Sequence, residues 1–149
     1  MKYKVYQGTT LKTTVTSKTA NITGLAQLTS YTFGVVPNNG IRDGTKASLT
    51  VKTRGVRFVI PTTLTVGATI TLRYQEYSLG LVPLGNEPAG MFGGGNNANL
   101  LAKVISTASG SSTVELTVSN ASFADGTKLN KLEDGSFGAF NGAKAIYFG

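Results

Sequence analysis

Short runs of alternating apolar and polar residues, separated by turn residues, occupy the first third of the chain. Five such runs cover residues 2–6, 11–16, 20–25, 30–37 and 47–54. Because successive side chains of a β-strand point to opposite faces, each run is typical of a strand with one face covered. Pro37 and the Asn-Asn-Gly after it end the fourth run with residues that favour turns. The pattern therefore predicts five strands within about fifty residues, a spacing typical of β-sandwiches and barrels.

Further strands are predicted in the rest of the chain, where the alternation is less regular. Residues 59–75 predict a β-hairpin, because two alternating runs flank Gly67. Residues 112–119 and 144–149 each predict one strand, whereas the pattern of residues 97–105 fits a short helix and a strand equally well. Both parts of the chain are therefore predicted to be rich in β-structure.

A segment rich in Gly, Pro and Asn covers much of residues 77–106. Long loops in compact domains are usually functional or mobile, so we predict either a contact arm or a loop without fixed structure. Met91 and Phe92 are the apolar residues that stand out in this setting, and we predict that they anchor a partner protein. Glycines 93–95 are not followed by the Gly-Lys-Ser or Gly-Lys-Thr of a phosphate-binding loop, which argues against a nucleotide site.

The order of the first five runs resembles part of a known family of modules. The stretches YKVY, LKTTVT, TANITGL, LTSYTFGVVPNNG and ASLTVKT are similar to strands C, C′, E, F and G of a fibronectin type III module, over residues 2–53. The resemblance implies a β-sandwich. It also implies that Tyr31 is the tyrosine corner, whose hydroxyl would bond to the backbone at the turn before its strand.

Strands A and B of the resembled module have no counterpart before YKVY, where the chain begins. An open edge beside residues 20–25 is costly, because buried backbone groups and apolar surface both need partners. In one arrangement, residues 59–75 fold back and complete a permuted sandwich over residues 1–75, with Tyr74 in the place of the strand B tryptophan. In the other, a neighbouring subunit closes the edge.

The expected fold is all-β: an incomplete or permuted fibronectin type III/immunoglobulin-like sandwich followed by a second β-rich region. The preferred division places a half-module at residues 1–54 and a second β-rich domain at residues 55–149. The alternative is the permuted sandwich over residues 1–75.

Positive charge is concentrated at the start of the chain. Residues 1–57 hold nine Lys and Arg against one Asp, a net charge of +8, and the whole chain carries +7, which leaves −1 for the remainder. Such an imbalance attracts acidic polymers, with Lys52, Arg54 and Arg57 as the candidate basic surface. However, lysines on exposed strands also keep sheet edges soluble, and here no stacking aromatics are interleaved with them. We therefore expect that the protein does not bind nucleic acid.

Candidate chemistry is sparse. The chain has no His and no Cys, which removes the common nucleophile–base pairs and the imidazole and thiolate metal ligands. Nothing in the sequence places two carboxylates across one cleft, as glycoside hydrolysis would require. The sequence thus predicts no catalytic residue, no cofactor and no metal site. It also lacks a signal-peptide core and a run of about 18 apolar residues. We therefore expect no membrane partner, and we expect that the protein is made in the cytoplasm.

A small β protein with an incomplete sandwich resembles the accessory structural proteins of tailed bacteriophages, to which fibronectin type III and immunoglobulin-like modules are appended. The resemblance implies a virion protein: a capsid decoration or tail-surface component that binds other virion proteins and forms a homo-oligomer. The first alternative is a carbohydrate or cell-wall adhesion module that binds a host-surface glycan. Its candidate stacking residues are Tyr74, Tyr77, Phe92, Phe137, Phe140 and Tyr147. The second alternative is a basic nucleic-acid-binding protein.

Overall fold

The computed structural model describes residues 1–76 and 97–149, and their contacts group the chain into two units, Met1–Arg54 and Gly55–Gly149. The described residues contain strands and turns and no helix. The predicted all-β class is therefore confirmed. Met91 and Phe92 lie outside the described residues.

The first unit is a four-stranded antiparallel sheet. Its strands are β1 (Lys2–Gln7), β2 (Thr10–Val15), β3 (Ser30–Asn38) and β4 (Ala47–Lys52), in the order β2-β1-β3-β4. Gly8 lies in the tight turn between β1 and β2 with a φ of 60°, a left-handed conformation that a side chain would strain. Four of the five strands predicted for this region are thus present, close to their predicted bounds.

The strand predicted at residues 20–25 is wrong. These residues form no strand, although Ala20, Ile22 and Leu25 are half-buried. A strand requires a neighbour that accepts its backbone hydrogen bonds, and none of the described strands lies beside this segment. The apolar residues of the segment turn inward, but the local pattern carried no information about pairing.

The second unit is built on one eight-stranded sheet, which is antiparallel except where β5 and β9 pair in parallel. Its order is β10-β11-β12-β6-β7-β8-β5-β9. The strands are β5 (Arg57–Ile60), β6 (Thr69–Glu76), β7 (Asn97–Ala108), β8 (Ser111–Leu116), β9 (Thr127–Lys128), β10 (Asn130–Lys131), β11 (Phe137–Asn141) and β12 (Lys144–Phe148). Residues 97–105, which fitted a helix or a strand, lie in β7.

The hairpin predicted at residues 59–75 is also wrong. Its two strands belong to the sheet of the second unit but do not pair with each other: β5 pairs with β8 and β9, and β6 pairs with β7 and β12. The buried Ser112 hydroxyl holds the connection between them, since it donates to the Thr62 carbonyl at 2.8 Å and accepts from the Leu64 N–H at 2.9 Å. Tyr74 therefore lies in the core of the second unit.

The second unit has a large apolar core. Side chains from β5, β6, β7, β8 and β12 meet in it, and Phe58 packs edge-to-face on Phe123 with ring centroids 5.7 Å apart. Its fully buried members include Phe58, Ile60, Leu72, Val114 and Ile146. In the first unit, by contrast, Val5 and Val36 are the buried hydrophobic side chains. The two units therefore differ in how much apolar surface each covers by itself.

Candidate partner-binding site

The sheet of the first unit has two chemically different faces. Side chains of directly opposite residues in neighbouring strands share a face, so the pairs Val5–Val35 and Phe33–Leu49 define one of them. We call this the apolar face; from the register it consists of Tyr3, Val5, Gln7, Thr10, Thr13, Val15, Tyr31, Phe33, Val35, Pro37, Ala47, Leu49 and Val51. We call the opposite side the lysine face, because Lys2, Lys4 and Lys52 project from it.

Much of the apolar face is in contact with solvent. Leu49 is 66% exposed, Val51 is 40% exposed and Val35 is 36% exposed, and all three lie on adjacent strands. None of the paired residues that define this face is charged. Contiguous exposed apolar patches of this kind mark interaction sites more often than chance exposure.

A groove of about 730 Å³ runs along the apolar face. Tyr3, Val5, Val15, Phe33 and Val35 form its floor, while residues 17–22 and Leu25 form its wall. Among the described residues of the lining, Lys18 is the charged one. The groove therefore combines an apolar floor with one cation at its wall.

The wall of the groove is anchored at its carboxyl-terminal end, where the chain enters β3. The Tyr31 hydroxyl accepts a hydrogen bond from the Ala26 N–H at 2.9 Å, five residues upstream. The Thr53 hydroxyl donates to the Ala26 carbonyl at 2.5 Å and accepts from the Thr29 N–H at 2.9 Å. Side chains at the end of the sheet thus bind the backbone that leads out of the wall.

An ion pair links β1 to the loop between β3 and β4. Lys4 Nζ lies 2.9 Å from Asp43 Oδ2, and the Asn38 side-chain amide donates to Asp43 Oδ1 at 2.6 Å. The hydrogen bond from Lys4, followed by that from Asn38, holds the pKa of Asp43 below its ordinary value. The hydrogen bond to Asp43 likewise raises the pKa of Lys4. Both groups remain charged at neutral pH.

Lys46 packs against its own sheet. Its ammonium lies 5.1 Å from the centroid of the Tyr6 ring and donates to the Gly8 carbonyl at 3.1 Å. A Cβ at Gly34 would collide with the Lys46 side chain, so the absence of a side chain at Gly34 leaves room for this lysine. Lys4 and Lys46 therefore both have partners within the first unit.

The three residues of the candidate basic surface have different surroundings. Lys52 is exposed at the end of β4, and Arg54 is exposed just after it. Arg57 lies in the second unit, where its Nε donates to Glu115 Oε2 at 2.7 Å. Because Glu115 balances the charge of Arg57, this residue is a weaker candidate for phosphate contacts than the sequence suggested.

The aromatic residues considered for glycan stacking pack mainly inside the second unit. Tyr147 is 1% exposed and Tyr74 is buried. Phe140 contacts the Tyr147 ring edge-to-face at 5.8 Å, and Phe137 stacks on Phe148 at 6.5 Å. A sugar needs an open ring face, which the buried Tyr74 and Tyr147 do not offer. The remaining two, Tyr77 and Phe92, lie outside the described residues.

Residues 1–76 and 97–149 contain neither a group of metal ligands nor a membrane-spanning helix. Over these ranges, no three acidic side chains are grouped so that they could hold a metal ion. The same ranges contain no helix that is long and apolar enough to cross a membrane.

Comparison with known proteins points to one family. The family model of the baseplate upper protein immunoglobulin-like domain matches residues 49–149, about two thirds of the chain. Chitinase A1 of Niallia circulans is 40% identical over 84 residues, which corresponds to 50% of this chain and 12% of that protein. The chain therefore spans only a small part of this relative. No solved structure matches the chain significantly.

Proposed function

The chain belongs to the family of the baseplate upper protein immunoglobulin-like domain, and from this premise we propose that it is a non-enzymatic component of a phage tail baseplate. A role as a structural protein of the phage virion agrees with the family description. The position within the particle is the proposed part: the family description favours the tail over a capsid decoration. Its role is to bind other virion proteins.

The uncovered apolar face is the observation that carries this proposal. A soluble domain rarely leaves residues such as Leu49 and Val51 side by side in water, whereas the centre of a protein interface is apolar and depleted of charge. The second unit, in contrast, covers its own core. The proposed division of labour is that residues 55–149 form the stable domain and residues 1–54 form the half-module that binds a neighbour.

The location of the protein in intact particles tests the proposal. Gold-labelled antibodies against the chain should mark the baseplate end of purified particles in electron micrographs. Labels over the head would instead indicate a capsid decoration. Particles that contain no detectable copy of the chain by mass spectrometry would contradict a virion role altogether.

Carbohydrate binding remains the second candidate, because part of the chain is similar to a protein named as a chitinase. That name describes the relative, and the burial of Tyr74 and Tyr147 removes two of the proposed stacking residues. Retention of the purified protein on chitin beads would favour this candidate, whereas its complete recovery in the unbound fraction would exclude chitin as the ligand.

A further inference from the structure

Residues 20–25 form a free edge along the groove. They lie in no strand, and their backbone N–H and C=O groups make no hydrogen bond with another described residue. Ala20, Ile22 and Leu25 nevertheless turn toward the groove and are half-buried. Backbone groups almost always acquire partners when they are covered, so any protein that covers this segment must supply hydrogen bonds to it.

The floor strands of the groove are long enough to lie under an extended segment of six residues. Six extended residues span about 20 Å at roughly 3.3 Å per residue. The floor strands β1 and β3 have six and nine residues, so they extend at least as far as a six-residue segment would. A small apolar molecule would also fit a volume of about 730 Å³, but it would leave the row of backbone groups on residues 20–25 without partners.

We propose that this groove accepts one extended segment of a neighbouring virion protein, which pairs as a β-strand with residues 20–23, before the left-handed Gly24, and covers the apolar face. The identity of the donor as a virion protein rests on the proposed function. Strand addition of this type draws affinity from main-chain hydrogen bonds and specificity from alternate side chains. The accepted segment therefore has apolar side chains at every second position, directed toward Val5, Phe33 and Val35.

Charge decides between a different protein and a second copy of this chain. Residues 1–54 carry eight Lys and Arg against one Asp, a net charge of +7, so two copies of this unit repel each other. Lys18 adds a cation to the groove wall itself. A segment with a carboxylate at the end that meets Lys18 is complementary to the groove, and a second basic half-module is not.

A synthetic peptide tests strand acceptance on the whole 149-residue protein. The probe is an eight-residue peptide with blocked ends, in which valine alternates with threonine and one end carries a glutamate. We expect saturable binding in isothermal titration calorimetry and slower hydrogen exchange of the amides of residues 20–23. The control peptide has the same length, with proline in place of two central threonines, and should not bind, because proline cannot donate to a ladder.

Two matched variants locate the binding. Val35→Lys places a charge on the groove floor and should weaken peptide binding on the order of tenfold or more. Val118→Lys is the control, because Val118 is similarly exposed, at 41%, but belongs to the second unit. It should bind the peptide as the unchanged protein does. Equal weakening by both variants would overturn the location in the groove.

The remaining outcomes separate the alternatives. Binding of the proline peptide with equal affinity, or binding without protection of residues 20–23, would overturn strand addition in favour of a general apolar site. A stable dimer in sedimentation experiments that Val35→Lys dissociates would identify a second copy as the occupant and overturn the proposal. A peptide that fails to bind, while the protein is still found at the baseplate, would overturn the groove inference and leave the proposed function intact.

Discussion

The two units of this chain solve the same packing problem to different degrees. In both, alternating side chains give a sheet an apolar face. The second unit covers that face with its own residues and has six basic and six acidic residues, whereas the first unit leaves Leu49 and Val51 in solvent and carries a net charge of +7. Alternation alone therefore specifies a strand, but a stable domain also needs a second layer to bury what the alternation exposes.

This difference matters because stability comes mainly from apolar area removed from water. Each buried large side chain contributes about 1.5–3 kcal/mol, and the fully buried ones named above all lie in the second unit. The first unit relies on its sheet hydrogen bonds, its half-buried wall and a few polar contacts. A partner that covers the apolar face would add the missing contribution, so binding and stability are coupled in the first unit.

Truncation of one phenylalanine in each unit should give the largest contrast. Phe58 is fully buried against Phe123, so Phe58→Ala should lower the free energy of unfolding of the second unit by about 3–5 kcal/mol. Phe33 is only half-buried, so Phe33→Ala should cost the first unit about 1 kcal/mol. Urea unfolding, followed through amide signals of each unit, measures both. Equal losses would mean that the apolar face is covered in solution.

A leucine substitution in each unit tests whether the apolar face is used in the particle. Leu49→Ser should lower incorporation into particles about tenfold, since an interfacial leucine contributes about 1–2 kcal/mol, and should leave the isolated protein folded. Leu101→Ser changes a comparably exposed leucine, at 49%, in the second unit and should leave incorporation unchanged. Quantitative mass spectrometry of purified particles gives the occupancy. Normal occupancy of the Leu49 variant would exclude this face from assembly.

The same contrast shows which parts of the fold the sequence could predict. The strands of the first unit were predicted close to their bounds because alternation is a local signal, although β3 continues through Pro37 to Asn38, beyond the proline expected to end it. The hairpin predicted at residues 59–75 was wrong because strand pairing is not local. β5 pairs with β8, and the paired residues Phe58 and Val114 are more than fifty residues apart in the sequence. Each run had the correct periodicity, but neither contained information about its partner.

The candidate site was predictable only in outline. The open edge expected beside residues 20–25 stays a prediction, whereas the exposure of Leu49 and Val51 on the apolar face is a structural observation. The groove wall was not foreseen, because it depends on residues 20–25 lying over the sheet without pairing and on Thr53 reaching Ala26 from 27 residues away. The Lys4–Asp43 ion pair, which spans 39 residues, had no local signal either.

Removal of one hydroxyl should produce a smaller effect, confined to the first unit. Tyr31→Phe deletes the acceptor of the Ala26 N–H and should destabilise this unit by about 1 kcal/mol, with faster hydrogen exchange at Ala26. Tyr3→Phe is the matched control, because Tyr3 lies on the same face and its hydroxyl makes no hydrogen bond among the described residues. Unchanged exchange at Ala26 in the Tyr31 variant would show that Tyr31 does not anchor the wall.

The smallest expected effect concerns the charge of Asp43. Because hydrogen bonds from Lys4 and Asn38 lower the pKa of Asp43 in the folded state, its ionised form stabilises the first unit at pH values above the ordinary value of 3.8. That contribution disappears as the pH falls below 3.8 and through the lowered pKa of the folded state. Asp43→Asn should therefore be slightly less stable than the unchanged protein at pH 7 and equally stable at the acid end of this window.

Salt should reduce the difference in stability at pH 7, since the ion pair is exposed. Urea unfolding of both proteins at pH 7 and at a series of pH values falling from 3.8 measures it, with the amide signals of the second unit as the internal control. A difference that does not shrink as the pH falls, or that appears in the second unit, would assign the effect of the substitution to something other than the ionised carboxylate.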